Sequence, residues 1–275
     1  MRYAVCNEMF AGWSHADVCR TVAELGYEGL ELAPFTFGPG LTKLGNAERQ
    51  AIRHEAGNHG LTVVALHWLL AKTTGLQITA ADPPIRARTA EYLVELAGCC
   101  RDLGSGLMVL GSPAQRRIPE GATREQAIAY AADTLRRAVP GIARAGVRLC
   151  LEPLARTETD VFNTCAETAE FVDRFAERGL GLHLDVKAML SEDTPVDDLI
   201  LRYGGRASHF HANDANRRGP GFGETDFVPI TRALGQSGYS GWVSVEVFDF
   251  TPDPVTIARR SLQYLKGCEA AAYAT

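Results

Sequence analysis

Eight short runs of strand-forming residues, each followed by an amphipathic stretch long enough for a helix, recur along the 275 residues, and this alternation is what most constrains the fold. Strands are expected at 2–6, 28–33, 61–67, 106–110, 147–152, 180–185, 207–212 and 242–247. Helices are expected at 14–25, 46–59, 84–103, 123–145, 164–178, 195–203, 228–237 and 254–270. Several open on a capping side chain (Ser14, Asn46, Thr123, Thr164) and stop at a glycine (Gly26, Gly60, Gly104, Gly146, Gly179). Tight turns such as ELGYEG, NHGLTV and RAGVRL feed each next strand, whereas the opposite strand ends carry long loops at 34–45, 69–83, 111–122, 153–163 and 213–227. The chain is close to the roughly 250 residues of a parallel barrel, and 46% hydrophobic residues suffice to fill one. The expectation is α/β, a single (β/α)8 TIM-barrel domain over 1–275, with its functional face at the looped, C-terminal ends of the strands.

A formal net charge of −5 offers nothing to attract nucleic acid, so a small-molecule substrate is expected and a polyanion is not. The seven cysteines are scattered and lack a C-x-x-C pair, which fits reduced, buried thiols in a cytoplasmic protein. The first residues run straight into a strand without a signal-like h-region, and no stretch approaches 18 uncharged apolar residues, so no membrane segment is expected.

Four residues stand near the ends of strands five to eight: Glu152 in RLCLEP, Asp185 in GLHLD, His211 in ASHFHAND and Glu246 in WVSVEV. Side chains alternate along a strand, so Cys150 with Glu152, His183 with Asp185, His209 with His211, and Ser244 with Glu246 share a face. Converging at one end of a barrel, three carboxylates and one imidazole form a cage for one divalent ion. Oxygen-rich ligation suits Mn²⁺ best, with Mg²⁺ or Co²⁺ as alternatives. Such an ion stabilises the enediolate formed when the proton beside a carbonyl is removed. Glu152 and Glu246, on different strands, can then serve as the acid/base pair.

The pieces LEPLARTE, HLD, HFHANDANR and SVEVF resemble the xylose isomerase-like TIM-barrel superfamily, within it the ketose 3-epimerase, hydroxypyruvate isomerase and sugar-phosphate isomerase/epimerase branch. The resemblance covers nearly the whole chain, from GYEGLEL onward. It implies a metal set of Glu152, Asp185, His211 and Glu246, with the two glutamates shuttling the proton, and substrate contacts at Glu158, Arg217 and His67. It also implies a sugar or sugar-derivative substrate and assembly as a dimer or tetramer.

One departure stands out: ketose epimerases carry Asp-x-x-His on strand six, and here the run is Asp185-Val186-Lys187-Ala188. A lyase of the same fold, resembling inosose dehydratases or 3-oxo-C-glycoside deglycosidases, therefore stays open as an alternative. An endonuclease IV-like nuclease is disfavoured, because Ala188 and Val228 occupy places where it needs histidines. If strand six continued, Lys187 would share the inward face and bind substrate. His183 is placed as a substrate or supporting contact, Phe248 as a pocket wall, Trp68 as packing that points away, and Asp226 as a partner orienting His211.

Overall fold

In a computed structural model describing residues 1–175 and 179–274, eight parallel strands close into a barrel in chain order. They are Arg2–Cys6 (β1), Gly29–Leu32 (β2), Thr62–Leu66 (β3), Leu107–Leu110 (β4), Arg148–Leu151 (β5), Leu180–Asp185 (β6), Ala207–Ala212 (β7) and Trp242–Val245 (β8). Around them run His15–Glu24 (α1), Asn46–Asn58 (α2), Pro83–Asp102 (α3), Arg124–Arg144 (α4), Cys165–Asp173 (α5), Val186–Met189 (α6), Val196–Tyr203 (α7), Phe227–Gln236 (α8) and Pro254–Ala272 (α9). The barrel and the order of its elements agree with the sequence reading. The short α6 was not anticipated, and residues 176–178 of the helix expected at 164–178 lie outside the described residues.

Local chemistry accounts for the helix boundaries. The hydroxyls of Ser14, Thr123 and Thr164 accept from the backbone N–H three residues on, and Gln126 returns a bond to Thr123 N. The start of α2 differs from expectation: Gly45 precedes the helix and its N–H donates to the Glu48 carboxylate, while Asn46 is the first helical residue. Beyond α3 and α4, Gly104 and Gly146 take φ of 80° and 76°, the left-handed turn that ends a helix. The seven cysteines are free and buried.

Two layers fill the molecule. Outward-facing strand residues such as Leu30, Leu66, Leu149, Leu151, Leu182, Leu184, Phe210 and Val243 pack into one continuous core with the helices. Alternation sends the intervening residues inward, and these are small or ionisable: Ala4, Cys6, Gly29, Glu31, Cys150, Gly181, His183, His209 and Ser244. Two irregularities set this pattern. Leu30 pairs with Val63 but Leu32 with Leu66, so β3 carries one extra residue; Leu182 pairs with Ala207 but His183 with His209, so β7 carries another. The second brings His183 alongside His209 and Asp185 alongside His211.

At the bottom of the barrel Gly29 leaves no room for a methyl group. A Cβ there would meet Val64 Cγ1 at 2.5 Å and both Ala4 Cβ and Trp242 Cζ3 at 3.0 Å. Gly29→Ala is expected to destabilise the barrel by about 1–3 kcal/mol through overpacking. Gly98→Ala, inside α3 with open space around its added Cβ, is expected to stabilise it by about 0.5–1 kcal/mol. Urea unfolding midpoints check both, and a Gly29→Ala midpoint at or above wild type contradicts the packing described.

Candidate active site and metal centre

The looped ends of β5 to β8 bring Glu152, Asp185, His211 and Glu246 to one buried place, each between 0% and 6% exposed. Glu152 and Glu246 lie one residue past their strands, since β5 ends at Leu151 and β8 at Val245. Donor atoms of Glu152, His183, Asp185 and His211 all lie within 4.8 Å of one another, and His211 Nδ1 is 3.1 Å from Glu246 Oε2. Donors at about 2.0–2.6 Å from a shared ion are spaced in this way.

Each of these side chains is held from behind. Asp185 accepts from Ala188 N at 2.7 Å and from Asn213 Nδ2 at 2.6 Å. Thus the residue standing where ketose epimerases have histidine contributes its backbone N–H. His211 Nε2 donates to Glu31 Oε1 at 3.1 Å, which turns Nδ1 towards Glu246. Glu31 also accepts from His209 Nε2 at 2.7 Å. Glu246 Oε1 accepts from Trp68 Nε1 at 2.8 Å. The Glu152 carboxylate rests against Gly111, where any Cβ would overlap Oε2. Its carbonyl oxygen accepts from Nη1 of the fully buried Arg116 at 2.7 Å.

Burial and these neighbours push the titratable groups in opposite directions. Burial, reinforced by the charges of Asp185 and Glu246, raises the Glu152 carboxyl well above the usual range. Burial would also raise Glu246, but the His211 charge and contact, with His67, outweigh it and hold this carboxyl below its ordinary value. His211 is raised well above a normal imidazole: burial opposes its charge, yet Glu246 and Glu31 prevail. His183 goes the other way, lowered by burial and by the neighbouring His211 and His209.

The residues fit a divalent cation. His183 Nδ1 and Nε2 are buried without a hydrogen-bond partner, beside carboxylates whose charges repel each other. Buried polar atoms left in this state are costly unless something polar or charged joins them.

Above this cluster opens a pocket of about 310 Å³, with Glu152 and Glu246 at its floor and Glu158, Arg217, Phe248, Trp68 and Leu154 among its walls. Trp68 and Phe248 stack with centroids 6.0 Å apart. The expectation that Trp68 points away is therefore overturned: its φ of 53° breaks the strand alternation and swings the indole over the site. Lys187 is also placed differently, because β6 stops at Asp185 and Lys187 lies in α6. Its Nζ donates to both Glu158 oxygens at 2.7 Å, and it sits 5.0 Å from the Phe248 ring. Asp226 caps α8 by accepting from Val228 N instead of orienting His211, a role taken by Glu31 and Glu246. His67 is fully buried and donates from Nε2 to Glu8 Oε2 at 2.8 Å.

Sequence reasoning missed Glu8, Glu31, Gly111, Arg116 and Asn213. Glu31 had a usable signal, an acid inside the apolar strand GLEL with a parity that faces inward. Gly111 and Arg116 sit in loop sequence that carries no such sign.

A sequence profile described as xylose isomerase-like TIM barrel matches residues 19–268. The chain belongs to that family. An L-ribulose 3-epimerase of Mesorhizobium japonicum is 32% identical over 62% of this chain and 58% of its own length. A D-psicose 3-epimerase of Ruminiclostridium cellulolyticum is 30% identical over 82% and 76%. Among solved structures, an L-ribulose 3-epimerase superposes with a TM-score of 0.84 at 21% identity, covering 98% of this chain and 95% of that one, which speaks for the fold.

Three of the four proposed ligands, His211, Glu152 and Asp185, are raised in pKa, and His211 Nδ1 must be free of its proton to bind an ion. A divalent cation must displace the His211 proton, so Mn²⁺ affinity is expected to rise with pH, with proton release visible by calorimetry in buffers of different ionisation enthalpy. Asp185→Asn and His211→Ala should each weaken Mn²⁺ binding about 10-fold or more in chelator competition. Gly111→Ala should do the same by displacing the Glu152 carboxylate. Undiminished binding in Asp185→Asn and His211→Ala would remove this centre from consideration.

Proposed function

We propose that the chain is a divalent-metal-dependent epimerase or isomerase of a ketose or related keto-sugar, moving the proton on the carbon beside the carbonyl with Glu152 and Glu246 as acid/base pair. The observation that carries this reading is the placement of two buried carboxylates with opposed pKa shifts at the floor of one pocket, with Asp185 and His211 on the strands between them. Environments that push two like groups apart assign the acid and the base. The family's curated members described above act as ketose 3-epimerases, which supports the same chemistry.

Glu246 is the ionised partner. Trp68 fixes one of its oxygens and His211 neighbours the other, so the carboxylate is aimed before substrate arrives. Glu152 is the protonated partner, held in the slot that Gly111 leaves open. With Glu246 removing the proton and Glu152 supplying one from its own strand, the carbon is reprotonated on a different side. A divalent ion held by Glu152, Asp185, His211 and Glu246, with Mn²⁺ the preferred occupant, would supply the positive charge that stabilises the developing oxyanion. Arg217 presents a forked donor to substrate oxygens, and Glu158, neutralised by Lys187, presents acceptors. The Trp68 and Phe248 rings shield the reacting carbon from water.

A lyase would use the same proton abstraction and then expel a leaving group. The second acid placed to return the proton, and the epimerase names of the relatives, favour reprotonation instead.

Proton exchange into D₂O with a panel of ketoses tests this. Glu152→Gln and Glu246→Gln should each lower turnover by about 10²–10⁴-fold. Glu152→Gln should still wash deuterium into the substrate without making product, whereas Glu246→Gln should lose both. Near-normal turnover in both variants would falsify the two-glutamate mechanism.

A further inference from the structure

Beside the pocket over Glu152 and Glu246 lies a second cavity of about 300 Å³, between the turn after β1 and the loop after β2. The two adjoin at several points. Lys72 lines both, Phe35 of the second lies 5.9 Å from Trp68 of the first, and carboxylate atoms of Glu8 and Glu246, one from each floor, fall within 4.8 Å of each other. Each cavity alone is at the lower end of the roughly 300–1,000 Å³ of small-molecule sites, and together they reach its middle.

The lining of the second cavity is selective. Trp13, Phe35 and Phe37 present aromatic surface; Trp13 is 41% exposed, and its ring stands edge-on to Phe10 at 5.5 Å, which fixes its tilt. Glu8 is only 5% exposed, and while Oε2 accepts from His67, Oε1 has no partner. The lining offers a single ammonium, Lys72, 4.3 Å over the Phe35 ring, and one carboxylate, Glu8. A phosphate would need more donors than this and would face that acid. A neutral ring with an apolar face and hydroxyl groups fits this lining: aromatic surface for its C–H face, the Lys72 ammonium for a hydroxyl oxygen.

We infer that this cavity is a subsite for a second sugar ring, so that the substrate is a ketose bearing a glycosyl group on a hydroxyl remote from its carbonyl. The inference rests on the reading under Proposed function for the first pocket and specifies the substrate class of that same site.

The test compares loss of the carbon-3 proton into D₂O from D-fructose, 6-O-α-D-glucosyl-D-fructose and 4-O-α-D-glucosyl-D-fructose, using the metal-loaded full chain. At least one disaccharide should exceed fructose in kcat/KM by about tenfold or more. Trp13→Ala should erase that advantage while leaving fructose within about twofold, and Trp13→Phe should retain most of it. Constancy on fructose also shows that the variant is folded. Exchange on fructose with no gain for either disaccharide overturns the subsite alone, as does a gain that Trp13→Ala leaves intact. No exchange from any of the three sugars overturns the epimerase reading and this inference with it.

Discussion

Glu31 is a carboxylate with no solvent exposure inside a parallel barrel, and the geometry of the site depends on what it holds. Leaving such a charge unpaired would cost several kcal/mol. Its partners are the imidazoles of His209 and His211, whose charges pull it well below the carboxylate range although burial pushes the other way. Because His211 Nε2 is committed to Glu31, Nδ1 has one direction left, towards Glu246 and the cluster at the strand ends. The site is thereby oriented from below by groups that never touch the pocket. His67 extends the arrangement, bonded to Glu8 with its Nδ1 3.7 Å from Glu31.

Much of this architecture was legible in the sequence because it rests on local rules. Caps, glycine stops and runs of β-branched or apolar residues are short-range signals, and strand ends can be lined up once eight units are counted. Glu152, Asp185, His211 and Glu246 were found in that way. The errors came where a backbone irregularity changed which way a side chain points. Alternation points Trp68 outward, but a positive φ reverses it; alternation points Lys187 inward, but a helical turn begins right after Asp185. The extra residues in β3 and β7 have no marker in their own sequence and are visible only in the pairing. Arg116 and Gly111 were missed for a different reason: a buried loop arginine and a glycine chosen for absence look like ordinary loop residues in one dimension.

Backbone strain gathers around the mouth of the pocket. Of the non-glycine residues with positive φ, Trp68, Lys72, Ser112 and Arg217 all line it, and Phe162 does not. Such conformations cost on the order of 1–3 kcal/mol each and persist only where the surroundings enforce them. The enforcement is visible: the Arg217 carbonyl accepts from Phe248 N and Asp249 N, and Ser112 Oγ accepts from Leu70 N. Stability drawn from the barrel thus goes into holding the rim in one shape, which lowers the ordering needed when a ligand enters.

The closeness of Gly111 to Glu152 carries a consequence for ancestry. A residue with no side chain, just past the end of the neighbouring strand, decides whether that acid has a place to sit. Descent can therefore silence a barrel of this kind without altering a single ionisable group, by one methyl at position 111. In tracing which descendants keep the activity, the vacancy is as heritable a character as the carboxylate that occupies it.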